Sequence, residues 1–315
     1  MATFDDITAN VQKTFDDCMN KNRRPWLSSF RKRLYVNTLI GQMMESFFLE
    51  LCEEFRIEQF LECGAHDAYA SRIIKSRLPG TNVVAYEANP FVYHNYKSLV
   101  DASGAIFVNL ALSDSNDSLS FVIKDKDSKS WSSEGFLAHN QDDLQQSSFE
   151  VACTTLDAEL DNRLGRVPTA LWIDVEGSNR RLISGASIFL SETDIKFIYI
   201  ETQVDTTWED ELTAVQLCIE LNRFGLEPLV RDWPYHWGCN ILFVHESLIK
   251  KSIPFLNQYL EKVSEARISY FPSPDIMNLL SLVKRAILGF VPRSFHSYIH
   301  KLAAFLGSKS SADLY

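Results

Sequence analysis

The sequence is poor in glycine and lacks both of the glycine-rich loops that bind phosphate groups. Its 315 residues include 12 glycines. The pyrophosphate-binding fingerprint needs three glycines at a strand-to-helix turn, and here Gly64 is followed by Ala65 and Ala68. No lysine follows a glycine loop at the spacing that cradles the phosphates of a nucleoside triphosphate. Both absences argue against a dinucleotide and against a P-loop nucleotide as the ligand.

Cysteines, long apolar runs and basic residues are also scarce. Six cysteines lie without paired spacing, which favours buried free thiols over zinc ligands or disulfides. No stretch reaches the roughly 18 uncharged apolar residues of a membrane span, and the first residues lack the basic and apolar regions of a secretory signal. A net charge of -10 disfavours a nucleic-acid partner. We therefore expect a cytoplasmic protein that binds no nucleic acid.

Two apolar segments, one before a glycine turn and one before a carboxylate, are the most informative part of the chain. The first is Phe60-Leu-Glu-Cys-Gly64 and the second is Val83-Val-Ala-Tyr-Glu87. With the helix predicted between them, they form the half of a Rossmann-like fold that holds a nucleoside. Glu87 lies 25 positions after Glu62, near the spacing at which an acid accepts hydrogen bonds from both ribose hydroxyls. A nucleoside with a compact charged tail fits, as in S-adenosylmethionine.

Two later apolar segments also end in carboxylates. They are Thr169-Ala-Leu-Trp-Ile-Asp174-Val-Glu176 and Ile195-Lys-Phe-Ile-Tyr-Ile-Glu201. Open α/β sheets bind their ligands at the carboxyl ends of the strands. We therefore expect Glu87, Asp174 and Glu201 to lie at one edge of a parallel sheet.

In their order and spacing, these segments resemble the motifs of the FkbM family of S-adenosylmethionine-dependent methyltransferases. The resemblance covers roughly residues 57 to 245 and rests on six motifs: Glu62-Cys-Gly-Ala-His-Asp67, Tyr86-Glu-Ala-Asn-Pro90, Asn109-Leu-Ala-Leu-Ser-Asp114, Thr155-Leu-Asp157, Ile173-Asp-Val-Glu-Gly177 and Ile200-Glu201. It implies the α/β class I methyltransferase fold, a Rossmann-like seven-stranded sheet with helices on both faces and an antiparallel last hairpin strand. It also implies O-methylation of a sugar, glycan or secondary-metabolite hydroxyl.

Three positions depart from the family pattern. Glu62 stands where the family usually has Asp, Ala68 where it usually has a second Gly, and Asn179 where it often has another Glu. The longer acid and the added methyl group are expected to narrow the cofactor pocket. Asn179 leaves the role of that third acid open.

The motifs supply the candidate site residues. Asp174 is the first candidate for binding the acceptor or taking its proton, and Glu176 and Glu201 are candidates to orient the acceptor. The candidate residues for binding S-adenosylmethionine are Glu62, Gly64, Ala65, His66, Glu87, Ala88, Asn89, Ala111 and Leu112. Side chains suited to stacking on a carbohydrate are the substrate-binding candidates: Trp208, His236 and Trp237. No metal site is assigned, and a divalent cation held by the acids stays an alternative.

Helical periodicity on both sides of the motif region divides the chain into three parts. We predict an N-terminal helical extension at residues 1–56, the methyltransferase domain at 57–245 and a C-terminal helical extension at 246–315. An amphipathic pattern at residues 276–290 leaves three interpretations open: packing on the domain, homo-oligomer formation, or peripheral contact with an anionic membrane. Two other functions also stay open, a non-catalytic Rossmann-like binding module and a nucleotide-sugar-processing enzyme.

Local patterns give further expectations inside and before the domain. Helices are predicted at residues 3–20, 31–56 and 178–190. The Ser-, Asp- and Lys-rich section at residues 124–148 is predicted to be a mobile loop over the site. Trp131 and Phe136 lie in it, either to stack on a sugar or to pack locally.

Overall fold

The computed structural model describes five ranges of the chain: residues 25–123, 135–138, 147–203, 210–232 and 238–270. The chain divides into two compact units. One comprises residues 40–259 and contains all the strands given below. The other comprises residues 1–39 and 260–315, of which 25–39 and 260–270 are described and helical. The helices predicted at residues 3–20 and 276–290 lie outside the described residues.

The described residues form eight α-helices and eleven strands. The helices are α1 (Pro25–Glu54), α2 (Tyr69–Arg77), α3 (Pro90–Ser103), α4 (Leu156–Asn162), α5 (Asn179–Ser184), α6 (Ser187–Glu192), α7 (Ala214–Asn222) and α8 (Ile249–Tyr270). The strands are β1 (Gln59–Cys63), β2 (Asn82–Tyr86), β3 (Ile106–Val108), β4 (Ala111–Leu112), β5 (Ser118–Ile123), β6 (Gly135–Leu137), β7 (Ser147–Thr154), β8 (Thr169–Ile173), β9 (Ile195–Gln203), β10 (Leu226–Arg231) and β11 (Gly238–His245). No helix in the described ranges has the length and apolar character needed to cross a bilayer.

Seven of the strands form one sheet with the order β10-β11-β9-β8-β1-β2-β3. Strand β11 runs antiparallel to both of its neighbours, and the other adjacent strands are parallel. All five residues of β1 are buried, which agrees with the apolar run that predicts a central parallel strand. The predicted α/β class, the seven strands and the antiparallel last hairpin strand are confirmed.

The register of the sheet brings four strand ends into one row. Cys63 of β1 lies opposite both Tyr86 of β2 and Ile173 of β8, and Ile173 lies opposite Ile200 of β9. The next residue along each of these chains is therefore at the same edge of the sheet: Gly64, Glu87, Asp174 and Glu201.

Helix α1 contacts the main sheet through an aromatic side chain. Phe48 of α1 is fully buried, and its ring centroid lies 5.5 to 6.2 Å from those of Phe60, Trp172 and Tyr199. Helix α1 therefore packs on the main sheet through this side chain.

Helix α1 ends in a tight turn at Arg56. The N–H of Ile57 donates to the carbonyl of Cys52, and the N–H of Arg56 donates to the carbonyl of Glu53, each at 3.2 Å. These two bonds form a Schellman motif, which places Arg56 in the left-handed region with φ of 48°. Glycine is the residue usually found at this position because it has no Cβ.

A second sheet, which the sequence analysis does not predict, has the order β4-β7-β5-β6. The prediction of a loop over residues 124–148 is wrong at both β6 and the start of β7, and the rest of that section lies outside the described residues. Strand β6 pairs with β5 because its apolar side chains are buried there, among them Phe136. Gly135 permits the approach, since a Cβ at this position would lie 2.3 Å from the Phe121 ring.

The helix predicted at residues 178–190 is divided into α5 and α6. The break falls at Gly185, where a Cβ would lie 2.0 Å from the carbonyl oxygen of Ser113. The local helical pattern does not predict this break, because it arises from a contact with a distant part of the chain.

Candidate active site

The turn after β1 is built around Gly64. This residue has φ of 81°, and a Cβ on it would lie 1.8 Å from the carbonyl oxygen of Asp174. The N–H groups of Gly64 and Ala65 donate to the carbonyl of Tyr86 at 3.0 and 2.9 Å. The glycine is therefore required both by the backbone conformation and by the contact with the residue after β8.

Glu62 supports this turn from inside the sheet. Its carboxylate accepts hydrogen bonds from the N–H groups of Ser71 at 2.7 Å and Ala70 at 3.3 Å, at the start of α2. The N-cap residue of that helix, Ala68, has φ of 53° and provides no side-chain acceptor. Glu62 therefore caps α2 from the neighbouring strand. Burial raises the pKa of Glu62 to about 7.

Glu87 is fixed in its place by two backbone donors. Its carboxylate accepts from the N–H of Asn89 at 2.7 Å and from the N–H of His66 at 2.8 Å. Burial raises its pKa to about 7, although these hydrogen bonds favour the ionised form. Each carboxylate oxygen has a second lone-pair site, so both can accept a further hydrogen bond from a ligand.

Glu87 lines a cavity of about 350 Å³ at the carboxyl edge of the sheet. The predicted residues that line this main cavity are Gly64, His66, Glu87, Ala88, Asn89, Ala111, Leu112, Asp174 and Glu176. Glu62, Ala65 and Glu201 do not line it. Other lining residues are not predicted from the sequence: Tyr86 and the apolar side chains Val92, Leu110, Phe121, Leu137 and Val175. Phe136, which the sequence offered as a stacking residue, lines the main cavity as a buried side chain.

Asp174, the residue after β8, and Glu201, which lies within β9 two residues before its end, form a hydrogen-bonded carboxyl pair. Burial and the Asp174 charge raise the pKa of Glu201 to about 9. Burial also raises the pKa of Asp174, while the hydrogen bond from Glu201 and the nearby His66 ring oppose that shift. The pKa of both acids is therefore raised by burial, and the hydrogen bond between them favours the proton on Glu201 over Asp174.

A smaller cavity of about 50 Å³ lies on the β9 side of Asp174. Its polar lining consists of Asp174, Glu176, Asn179, Glu201, Gln203 and Glu211. Glu176 is exposed to solvent, whereas Glu211 is 4% exposed. Glu211 was not among the predicted residues, because the sequence around it has no strand-end pattern.

Three predicted substrate-binding residues, Trp208, His236 and Trp237, lie outside the described residues. Within the ranges that are described, no three His, Cys, Asp or Glu side chains are grouped so that they could hold a metal ion.

The sheet order, the glycine turn after β1 and the acid after β2 together define a class I, S-adenosylmethionine-dependent methyltransferase. The methyltransferase FkbM domain model matches residues 62–261, which is more than half of the chain. The protein belongs to this family and is a methyltransferase. No curated protein matches the chain.

Several solved structures of methyltransferases are similar to the chain at low identity. Magnesium protoporphyrin IX methyltransferase from Synechocystis PCC 6803, solved with bound S-adenosylmethionine, is 7% identical with a TM-score of 0.37, over 70% of this chain and 82% of that chain. Aeropyrum pernix fibrillarin, also with the bound cofactor, is 13% identical with a TM-score of 0.36, over 59% of this chain and 66% of that chain. Precorrin-6y C5,15-methyltransferase from Geobacter metallireducens GS-15 is 10% identical with a TM-score of 0.32, over 60% and 79%.

Proposed function

We propose that this methyltransferase methylates a hydroxyl group on a sugar, a glycan or another secondary metabolite, with Asp174 as the base. The observation that carries the proposal is Asp174, which lines the main cavity and is hydrogen-bonded to the Glu201 carboxyl behind it. A hydroxyl is a poor nucleophile until its proton is removed, so this chemistry needs an ionised acid beside the methyl donor.

The main cavity suits S-adenosylmethionine in size and in chemistry. About 350 Å³ is within the range of small-molecule sites, and the lining combines apolar side chains with few polar groups. The free acceptor sites of the Glu87 carboxylate would bind the ribose hydroxyls. Ala88, Asn89, Ala111 and Leu112 would contact the adenine, and His66 would bind the methionine carboxylate. When bound, the cofactor supplies an electrophilic methyl group on a sulfonium centre.

The carboxyl pair performs the acid–base part of this reaction. Asp174 accepts the acceptor's proton at its carboxylate as the oxygen is methylated. Glu201 keeps Asp174 in one orientation through its donated hydrogen bond and, by protonation, avoids a second negative charge beside it. Glu176, which lies exposed at the opening, binds further hydroxyls of the acceptor. Trp208, His236 and Trp237 are proposed to stack on the acceptor.

Two measurements test the proposal. Titration calorimetry with S-adenosylmethionine should show binding, and incubation with a panel of glycosides, phenols and amines should give methylated products detected by mass spectrometry. Products methylated on oxygen are expected. Methylation confined to amines would contradict the hydroxyl assignment, and absence of cofactor binding would contradict the cofactor site.

A further inference from the structure

We propose that Glu211 is an acceptor-binding residue, which recognises a second hydrogen-bond donor, hydroxyl or ammonium, on the carbon next to the methylated oxygen. The inference rests on the proposed function, because it places the methylated oxygen at Asp174. It adds a requirement on the acceptor: a vicinal diol or amino alcohol is preferred to a molecule with a single hydroxyl.

The Glu211 carboxylate is buried with one oxygen unused. One oxygen accepts a hydrogen bond from the backbone N–H of Gln203, whereas Oε2 is buried and has no hydrogen-bond partner. Buried polar atoms in proteins are almost always hydrogen-bonded, so the unused oxygen of this cavity-lining carboxylate is available to accept a hydrogen bond from a ligand. Burial raises the pKa of Glu211 to about 7, so the carboxyl is partly ionised near neutral pH.

The segment that carries Glu211 is held in place on both sides. The side-chain oxygen of Asn179 accepts from the N–H of Leu212 at 2.6 Å, and the Thr202 hydroxyl donates to the Leu212 carbonyl at 2.7 Å. On the other side of Glu211, the carboxylate of Asp210 is bound to the Arg181 guanidinium at 2.6 Å. Glu211 is thus preorganised for binding, which is how specificity groups are positioned.

The size of the smaller cavity limits what Glu211 can bind. Asp174 and Glu211 line the same space of about 50 Å³. This is room for one or two groups the size of water and not for a sugar ring. A donor that reaches Glu211 while a neighbouring oxygen is at Asp174 must therefore be attached close to that oxygen. The surrounding carboxyl groups accept hydrogen bonds, so a hydroxyl or an ammonium fits and a carboxylate does not.

Ligand-detected NMR on the full chain loaded with S-adenosylhomocysteine tests this inference. The probes are cyclohexane-1,2-diol (cis and trans), 2-aminocyclohexanol and cyclohexanol, which share one ring and differ in the second group. We expect the diol or the amino alcohol to bind more tightly than cyclohexanol. Glu211→Gln keeps an acceptor for the Gln203 N–H, and it should weaken binding of the preferred probe about tenfold while changing cyclohexanol less than about twofold.

Two further variants serve as controls. Glu192→Gln removes an acid from an exposed ion pair with Arg166 and should leave every probe affinity unchanged. Glu211→Asp keeps the charge but shortens the side chain, which moves the carboxylate oxygens away from the smaller cavity. It should therefore also weaken binding of the preferred probe. The affinity of each variant for S-adenosylhomocysteine, measured by calorimetry, should equal that of the wild type, which excludes general loss of structure.

The outcomes separate this inference from the proposed function. Equal binding of the preferred probe by the wild type and Glu211→Gln overturns the role of Glu211. Binding of S-adenosylhomocysteine without binding of any two-donor probe overturns the acceptor requirement and leaves the cofactor site in place. Failure to bind S-adenosylhomocysteine overturns both proposals. Tighter binding of the amino alcohol than of the diol supports the inference and identifies an ammonium-bearing acceptor.

Discussion

Glu87 and Asp174 follow the two strands that flank β1, and their surroundings give them different tasks. Two backbone N–H groups hold the Glu87 carboxylate, so its geometry is independent of any other side chain. Asp174 is instead hydrogen-bonded to the Glu201 carboxyl, and burial raises the pKa of both groups, which suits the base role proposed for Asp174. Residues at equivalent places in the sheet are thus suited to binding in one case and to acid–base chemistry in the other.

The first prediction concerns the binding residue. Glu87→Ala should weaken S-adenosylmethionine binding by more than about tenfold, because hydrogen bonds from the ribose to a charged acceptor contribute about 1.5 to 3 kcal/mol. Titration calorimetry gives the dissociation constant, and circular dichroism checks that the fold is retained. An unchanged constant would remove Glu87 from the cofactor site.

The second prediction concerns the base. Asp174→Asn keeps the size and shape of the side chain but removes its charge and basicity, so turnover should fall by about a hundredfold or more. The affinity for S-adenosylmethionine should change little. Single-turnover kinetics measure the first quantity and calorimetry the second. Parallel losses in both would assign Asp174 to cofactor binding or to structure.

At the scale of elements, two helix termini carry residues that are unusual there. The C-terminus of α1 usually has a glycine at the position of Arg56, and the N-terminus of α2 usually has a side chain with a capping oxygen at the position of Ala68. Arg56 closes the Schellman motif of α1 with a positive φ, and Ala68 stands at the start of α2 without a capping oxygen. The second deficit is offset by Glu62, which reaches α2 from β1. For Arg56 the structure describes no such compensation, so the strain of the left-handed conformation persists.

The third prediction follows from this strain. Arg56→Gly should stabilise the protein by about 1 kcal/mol, because glycine adopts the left-handed conformation without the Cβ contact. Chemical denaturation measures the free energy of unfolding. Arg56→Ala is the matched control, since it removes the same exposed side chain and keeps the Cβ, and it should bring no gain. An equal gain in both variants would trace the effect to the lost charge.

At the scale of the whole molecule, the unit of residues 40–259 contains several acids whose pKa is raised by burial. Glu45, Glu62, Glu87 and Glu211 have pKa values of about 7, and Glu201 of about 9. A carboxyl whose pKa is higher in the folded than in the unfolded state binds its proton more tightly when folded. Its contribution to stability is complete below the unfolded value of about 4.5 and is lost as pH rises through the folded value.

The fourth prediction uses this pH dependence. Thermal unfolding should give a higher Tm at pH 5 than at pH 8.5. Glu201→Gln keeps a hydrogen-bond donor for Asp174 and cannot ionise, so at pH 8.5 it should be more stable than the wild type by at least about 1 kcal/mol. At pH 5 the two proteins should be nearly equal. Glu192→Gln, on the surface, should show the wild-type pH dependence, and a Tm that rises with pH would contradict the pKa order given above.

The sequence by itself determined four strands of the main sheet, β1, β2, β8 and β9, and the acids at or near their carboxyl ends. Apolar runs, Gly64 and the carboxylates are local patterns, and parallel pairing then brings Glu87, Asp174 and Glu201 to one edge. Only the tertiary structure decided the second sheet, the break at Gly185, the capping role of Glu62 and the place of Glu211 beside Asp174. The physical reason is that local patterns report the burial of a segment but not its partner. Glu211 lines the same cavity as Asp174 because of contacts between residues distant in the chain, such as Asn179 with Leu212, and these exist only once the sheet has formed.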